Sequence, residues 1–288
     1  MSIVVVHNPI SRVTLTEVEE LFRLYAPGEQ LRVVQTSTEE ATPQLIAPEL
    51  ADASMVVAVG GDGTVSGTAA GLLNTGIPLG IIPGGSTNMV ARVNRVPLRS
   101  DQAVQLLTGP HREQVIDAGR SGDRVLLHLG GAGLDARIFE RSSSALKRRL
   151  KWMGYGPAAL RSLGDASSRL TVTVDGVTAE TQSRFVLIAN SGSLIRESFS
   201  LVPAADRTDG VFDVAIFTAD SWPAIAATAA ELPWLRWRHS SRIITMRGVD
   251  ISVQADPSMP YEFDGDVIGV TPFQITVHHL AIRMICGN

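Results

Sequence analysis

Val56-Val-Ala-Val runs straight into Gly60-Gly61-Asp62-Gly63-Thr64, so an apolar strand pattern is delivered into a glycine-rich turn and then a helical stretch over Thr64–Leu73. This feature constrains the fold more than any other, because a buried strand feeding a helix through such a turn is half of a strand–helix–strand unit. The surrounding chain repeats the unit. Ile3–Val6 reads as a strand ending in the turn His7-Asn8-Pro9, and Leu15, Val18, Leu21, Phe22 and Tyr25 follow at helical spacing. Leu31–Gln35 is a second strand, Thr38–Glu49 a helical stretch, Met55–Val59 a third strand and Gly80–Ile82 a fourth. Such alternation predicts an α/β domain with a parallel sheet covered on both faces, whose ligands sit outside the carboxyl ends of the strands. The glycine-rich loops fall at those ends.

The rhythm changes from about residue 114. Val125–Leu129, Leu170–Val174, Phe185–Ala189, Val211–Phe217, Ile243–Met246, Val249–Val253 and Phe273–His278 are short strand candidates. Asp175-Gly176, Asp209-Gly210 and Arg247-Gly248 supply turn signals between them, and helical patterns interrupt at about 143–163 and 222–231. Many short strands with tight turns predict an antiparallel β-sandwich. The expected division is therefore 1–113 for the α/β domain and 114–288 for the sandwich.

Composition excludes several classes. Of the 288 residues 44% are hydrophobic and 19% charged, the balance of a folded globular protein. A formal net charge of −4 argues against a general nucleic-acid binder. The single cysteine, Cys286, excludes an internal disulfide, suits a reducing compartment, and sits in an apolar run as a buried thiol would. No stretch of about 18 apolar residues is present to span a bilayer, and the N-terminus lacks a signal-peptide pattern. A cytoplasmic location is expected, with any membrane contact peripheral to the inner face.

Three glycines in the first loop let a backbone approach phosphate closely, and the following helix aims its free N–H groups at the same point. The spelling is neither G-x-x-x-x-G-K-[ST] nor G-x-G-x-x-G. Asp62 inside the loop would repel a polyphosphate unless a divalent cation intervenes or the carboxylate accepts a proton; it could equally cap a helix. The device recurs at Pro83-Gly84-Gly85-Ser86-Thr87-Asn88, between the strand Leu79–Ile82 and a helix at about Met89–Val93. Ser86, Thr87 and Asn88 there serve equally well as phosphate or ribose donors and as helix caps.

These elements together resemble the diacylglycerol kinase catalytic domain, whose superfamily includes sphingosine, ceramide and NAD kinases. The resemblance covers G-G-D-G-T at 60–64, the loop at 83–88, Gly131-Ala-Gly133-Leu-Asp135-Ala136 and Ala189-Asn190-Ser191. It continues through Leu201-Val-Pro203 to Asp206, Asp209-Gly210 and Asp213, and ends at Phe263-Asp264-Gly265-Asp266, in the family's order along nearly the whole chain. It implies an α/β nucleotide domain, a β-sandwich acceptor domain and an active site in the cleft between them. It further implies an ATP-dependent, Mg2+-requiring lipid kinase. Asn8, Gly60, Gly61, Gly63, Thr64, Gly84, Gly85, Ser86, Thr87 and Asn88 would hold the nucleotide. Asp62, Asp264 and Asp266 would be catalytic, and Asp206, Asp209 and Asp213 would correspond to a structural Mg2+ region of some bacterial members.

The chain departs from the family pattern at several points. Ile10-Ser11-Arg12 replaces a common Gly-Lys after Asn8-Pro9, which makes Arg12 a candidate phosphate contact. Ser66-Gly67 replaces Asn-Glu, and Asp266 replaces the glutamate of D-G-E. These departures keep a catalytically weakened nucleotide- or lipid-binding protein as an alternative, alongside an NAD-kinase-like enzyme with a soluble acceptor. Lys147-Arg148-Arg149-Leu150-Lys151-Trp152 and Trp234-Leu-Arg236-Trp237-Arg238-His239 combine cations with indoles, as a surface resting on anionic lipid would. They would equally suit a solvated face with core tryptophans. The expected partners are nucleotide and lipid, with a membrane surface and a homodimer as further expectations and no nucleic acid.

Overall fold

The computed structural model describes residues 2–37, 39–133, 167–191, 193–196, 199–200, 205–218 and 241–287. The chain forms two compact units, Met1–Leu127 with His278–Asn288, and His128–Val277.

In the first unit β1 (Ser2–His7), β2 (Gln30–Gln35), β3 (Ala53–Gly60) and β4 (Leu79–Pro83) alternate with α1 (Leu15–Tyr25), α2 (Thr42–Ile46) and α3 (Asp62–Leu72). The short α4 (Met89–Val93), α5 (Ser100–Thr108), β5 (Arg112–Ser121) and β6 (Arg124–Leu126) follow. Strands β1 to β4 lie in the order β2-β1-β3-β4 and pair in parallel. Because β1 has β2 on one side and β3 on the other, the winding reverses between β1 and β3. That switch point opens a crevice outside the carboxyl ends of the strands. Strands β1, β3 and β4 carry unbroken apolar runs because both sheet faces are covered: Val4, Val5, Val6, Val56, Val57, Val59, Leu79 and Ile82 are buried. Helix α1 buries Val18 and Phe22 and is capped by Thr14, whose side chain accepts from Glu17 N. Helix α3 is buried on nearly every side, which explains the small residues along it.

The second unit is antiparallel. It contains β7 (Leu129–Gly133), β8 (Ser168–Val174), β9 (Val177–Ser183), β10 (Phe185–Ala189), β11 (Ser193–Arg196) and β12 (Phe199–Ser200). After these come β13 (Phe212–Phe217), β14 (Ile243–Gly248), β15 (Asp250–Asp256), β16 (Pro260–Phe263), β17 (Asp266–Val270) and β18 (Phe273–Cys286). One sheet runs β14-β13-β10-β7-β16-β17; in a second, β8 pairs with β9 and β15, and residues 273–276 of β18 pair with β15. Residues 278–286 of β18 belong to the first unit, where Met284 pairs with Leu79 in parallel.

The α/β-then-antiparallel plan is the one the strand rhythm predicts. The first unit, however, continues past 113 to Leu127. Strand β5 pairs with β18 and β6, and Ile116, Ala118, Val125 and Leu127 join the first unit's core. The single strand expected over Val125–Leu129 is two, β6 and β7, divided where the units divide. The helix expected over Thr38–Glu49 shortens to α2 and a turn of 3-10 helix, because Pro43 and Pro48 interrupt helical hydrogen bonding. Cys286 is buried, as its apolar run suggests. The expected helices at 143–163 and 222–231, the two basic–indole segments, Asp135 and Leu201–Ala204 lie outside the described residues. No helix among the described residues is long and apolar enough to cross a membrane.

Candidate nucleotide site and carboxylate cluster

The first loop leaves β3 beside the end of β1, at the switch point. Asn8 N donates to Val59 O at 3.1 Å. The Asn8 side chain joins the two loop ends: Nδ2 donates to Thr64 Oγ1 at 3.1 Å, and Oδ1 accepts from Ile10 N at 3.1 Å. The second loop lies directly on the first. Gly84 N donates to Gly60 O at 2.7 Å and Arg12 N to Gly84 O at 3.1 Å. A Cβ on Gly85 would stand 2.5 Å from Gly61 Cα, and one on Gly84 would stand 1.9 Å from Ser11 Oγ. At Gly85 glycine is demanded by backbone-to-backbone contact.

Asp62 is 5% exposed, and its Oδ1 accepts from Val90 N at 3.0 Å. The carboxylate therefore caps α4, and it binds the two loops into one body. Asn88 takes the left-handed conformation (φ 51°) and closes on its own loop. Its Oδ1 accepts from Gly85 N and its Nδ2 donates to Gly85 O, both at 3.0 Å. Asn88 thus shapes the turn, whereas Ser86 lines a cavity beside it. Arg124 Nη1 donates to Gly63 O at 2.9 Å and braces the first loop, a role no motif announced.

The departures at 66 and 67 have packing causes. Ser66 Oγ donates to Val125 O at 2.7 Å and accepts from Val125 N at 3.0 Å, tying α3 to β6. A Cβ on Gly67 would already stand 2.9 Å from Thr42 Oγ1, so a glutamate has no room against α2.

In the second unit the motif residues gather at one end of the six-stranded sheet. Ala189 pairs with both Leu129 and Asp213, and Phe263 with Gly130. Asn190 N donates to His128 O at 2.9 Å. Asp264 and Gly265 both have positive φ (53° and 92°) and form the two-residue turn joining β16 to β17, the conformation that an Asp-Gly pair favours. The buried Asp264 carboxylate accepts at Oδ1 from His128 N at 2.8 Å and Leu129 N at 3.1 Å. Asp266 is exposed. Glu262, which sequence reasoning passed over, is buried, and its Oε2 accepts from Gly265 N at 2.6 Å. Its signal was its position two residues before the Asp-Gly turn, within reach of the turn's backbone. Burial raises the Tyr261 hydroxyl above its ordinary pKa.

The expected Mg2+ region fits a cation poorly. Asp206 Oδ1 accepts from Thr208 N at 3.0 Å and Thr208 Oγ1 at 2.7 Å. Asp213 faces Arg247 across the β13–β14 pair, and Arg247 binds Asp209 Oδ2 while its Nε lies 3.6 Å from Asp213 Oδ2. A guanidinium thus stands between two of the three carboxylates, and no group of three metal-ligating side chains occurs among the described residues. Chelating divalent cations is accordingly expected to leave the thermal midpoint of the nucleotide-free protein within about 1 °C. Arg247→Met should lower the midpoint by a few degrees, since loss of about 1 kcal/mol moves a domain of this size by roughly 2–4 °C. Calorimetry with and without EDTA checks both.

Comparison with known proteins assigns this doubly glycine-looped α/β unit and the antiparallel unit after it to a two-domain kinase class. Residues 2–120 match the diacylglycerol kinase catalytic domain, and residues 130–286 match the YegS C-terminal NAD kinase beta sandwich-like domain. The chain belongs to the diacylglycerol-kinase-like lipid kinase family. An uncharacterized Synechocystis protein is 29% identical over 229 residues, 77% of this chain and 52% of its own length, so the chain spans about half of that relative. A Staphylococcus epidermidis protein provisionally named a lipid kinase is 24% identical, over 82% of this chain and 78% of its own. The crystal structure of a Bacillus anthracis protein, provisionally a diacylglycerol kinase, superposes with a TM-score of 0.75 at 22% identity, covering 99% of this chain and 97% of that one. This last likeness is one of fold.

Proposed function

We propose that the protein is an ATP-dependent kinase that transfers the γ-phosphate to a hydroxyl of a diacylglycerol-like or other long-chain lipid, with Mg2+ entering bound to the nucleotide. The observation that carries this reading is the contact of two glycine-rich loops at the switch point, with Asn8 fastened to Thr64 and Asp62 inside the pair. Such a surface offers backbone N–H groups from Gly61 and Gly63, with the hydroxyls of Thr64, Ser86 and Thr87 nearby, to phosphate oxygens, while Gly60, Gly84 and Gly85 let the two loops meet. Asn8 and Asn88 hold the loops in that form.

Phosphoryl transfer needs positioning, charge neutralisation and a carboxylate that orients the attacking hydroxyl. In this reading Asp62 faces the metal–nucleotide or takes the proton. Of Asp264 and Asp266, the exposed Asp266 is the one that meets solvent and hence can meet an acceptor. Asp264 holds that turn by its bonds to His128 and Leu129. Because the second domain's match is to a NAD-kinase-like sandwich, a soluble hydroxyl acceptor is the competing reading.

The test is incubation with γ-labelled ATP, Mg2+ and extracted lipids, in parallel with NAD. Label in the organic phase is expected. Label confined to phosphorylated NAD in the aqueous phase would replace the lipid reading with the soluble one.

A further inference from the structure

Helix α3 begins without the devices that usually fix a first turn. Its N-cap residue, Gly61, makes no side-chain cap bond. Gly63 and Gly67 fall in its first two turns, and glycine is among the weakest helix formers. Yet this is the turn whose N–H groups a phosphate would meet. What holds it comes from elsewhere in the first unit. Asn8 fastens Thr64, and the hairpin of β5 and β6, in which Ser121 pairs with Arg124, supplies the rest. Ser66 Oγ donates to Val125 O at 2.7 Å and accepts from Val125 N at 3.0 Å. One residue earlier on β6, the half-buried Arg124 donates from Nη1 to Gly63 O at 2.9 Å.

Arg124 stands at the wrong end of this helix for its charge. Partial positive charge gathers at a helix N-terminus, so a cation stabilises the opposite end. The guanidinium on Gly63 therefore adds to the positive field of the first turn, where only an anion on the same turn offsets it. We propose that Arg124 is a positioning residue of the first loop, holding the Gly63 peptide and the first turn of α3 in the form that receives the nucleotide's phosphates. It acts through Gly63, whose peptide is free to turn unless something outside the helix fixes it. The inference rests on the nucleotide reading above and adds to it a residue that falls between the two matched family spans, 2–120 and 130–286.

The experiment is calorimetric titration of the full chain with MgATP and with adenosine, for the wild type, Arg124→Met, Arg124→Lys and Ser66→Ala, with thermal unfolding of each. Arg124→Met is expected to weaken MgATP by roughly 10-fold, the low end for a hydrogen bond from a charged donor. Adenosine, which carries no phosphate, should stay within about twofold. The midpoint of Arg124→Met should stay near that of the wild type, because the lost bond is offset by removing a cation from the positive helix end. Arg124→Lys keeps a charged donor on a shorter stem, so its MgATP affinity should fall between. Ser66→Ala strips the buried Val125 N of its acceptor and should lower the midpoint, with MgATP affinity within about threefold of the wild type. Wild-type MgATP affinity in Arg124→Met would overturn this inference and leave the nucleotide reading standing. Equal losses of affinity in Arg124→Met and Ser66→Ala, or a midpoint lower in Arg124→Met than in Ser66→Ala, would reduce Arg124 to a packing brace and overturn it too. A wild type that binds neither MgATP nor adenosine would overturn both readings.

Discussion

Asp62→Asn is expected to reduce turnover by roughly 10²–10⁴-fold, the contribution of a positioned proton-transfer group, while leaving the fold intact. The Asp62 side chain has two separable duties. As a cap, Asp62 needs only an oxygen to accept from Val90 N at 3.0 Å, and asparagine retains that oxygen. As a reactive group it needs the charge, which asparagine removes. Asp62→Ala loses both duties and should also cost about 1 kcal/mol, as loss of a helix cap does. Steady-state transfer of label, combined with thermal unfolding of both variants, checks the split. Equal turnover in Asp62→Asn and the wild type would reduce Asp62 to its structural role.

Asp264→Ala is expected to destabilise the second unit by roughly 2–4 kcal/mol, because two buried backbone N–H groups lose their acceptor together. These are His128 N and Leu129 N, 2.8 and 3.1 Å from Oδ1 at the start of β7. Asp264→Asn keeps an acceptor and suits the positive-φ turn, so it should cost far less. Urea unfolding followed by the tryptophan and tyrosine signals gives the difference. A small cost for Asp264→Ala, with activity lost, would return Asp264 to the reacting groups.

Much of this architecture is legible in the residues themselves. Strands β1, β3 and β4 are legible because strands buried on both faces are written as continuous apolar runs, and both glycine-rich loops because glycine is required where Gly85 meets Gly61. The return of β18 is not legible. One continuous alternating strand, Phe273–Cys286, serves two units, and nothing local marks the change at Val277–His278. Strand β5 was missed for a related reason: Arg112–Val115 is polar and largely exposed, and only the later residues of the strand are buried.

The site divides in the same way. Residue types showed where chemistry is concentrated, but roles depend on partners distant in sequence. Asp62 reaches Val90, Asp264 reaches His128, and Arg247 reaches Asp209 from another strand. The arginine beside Asp209 and Asp213 could not be found from the aspartate spacing, because it is supplied by the neighbouring strand's register, Asp213 opposite Arg247. Ser66 and Gly67 likewise looked like losses until Val125 and Thr42 were seen against them.

We propose that the paired loops at the switch point serve phosphoryl transfer to a lipid hydroxyl. Its most direct test is the appearance of ³²P from γ-labelled ATP in chloroform-soluble lipid, measured side by side for the wild type and Asp62→Asn with Mg2+ present. Labelled lipid is expected to grow with time for the wild type and to stay at background for the variant. Unlabelled lipid from a wild type that binds MgATP, or equal labelling by both proteins, would contradict it.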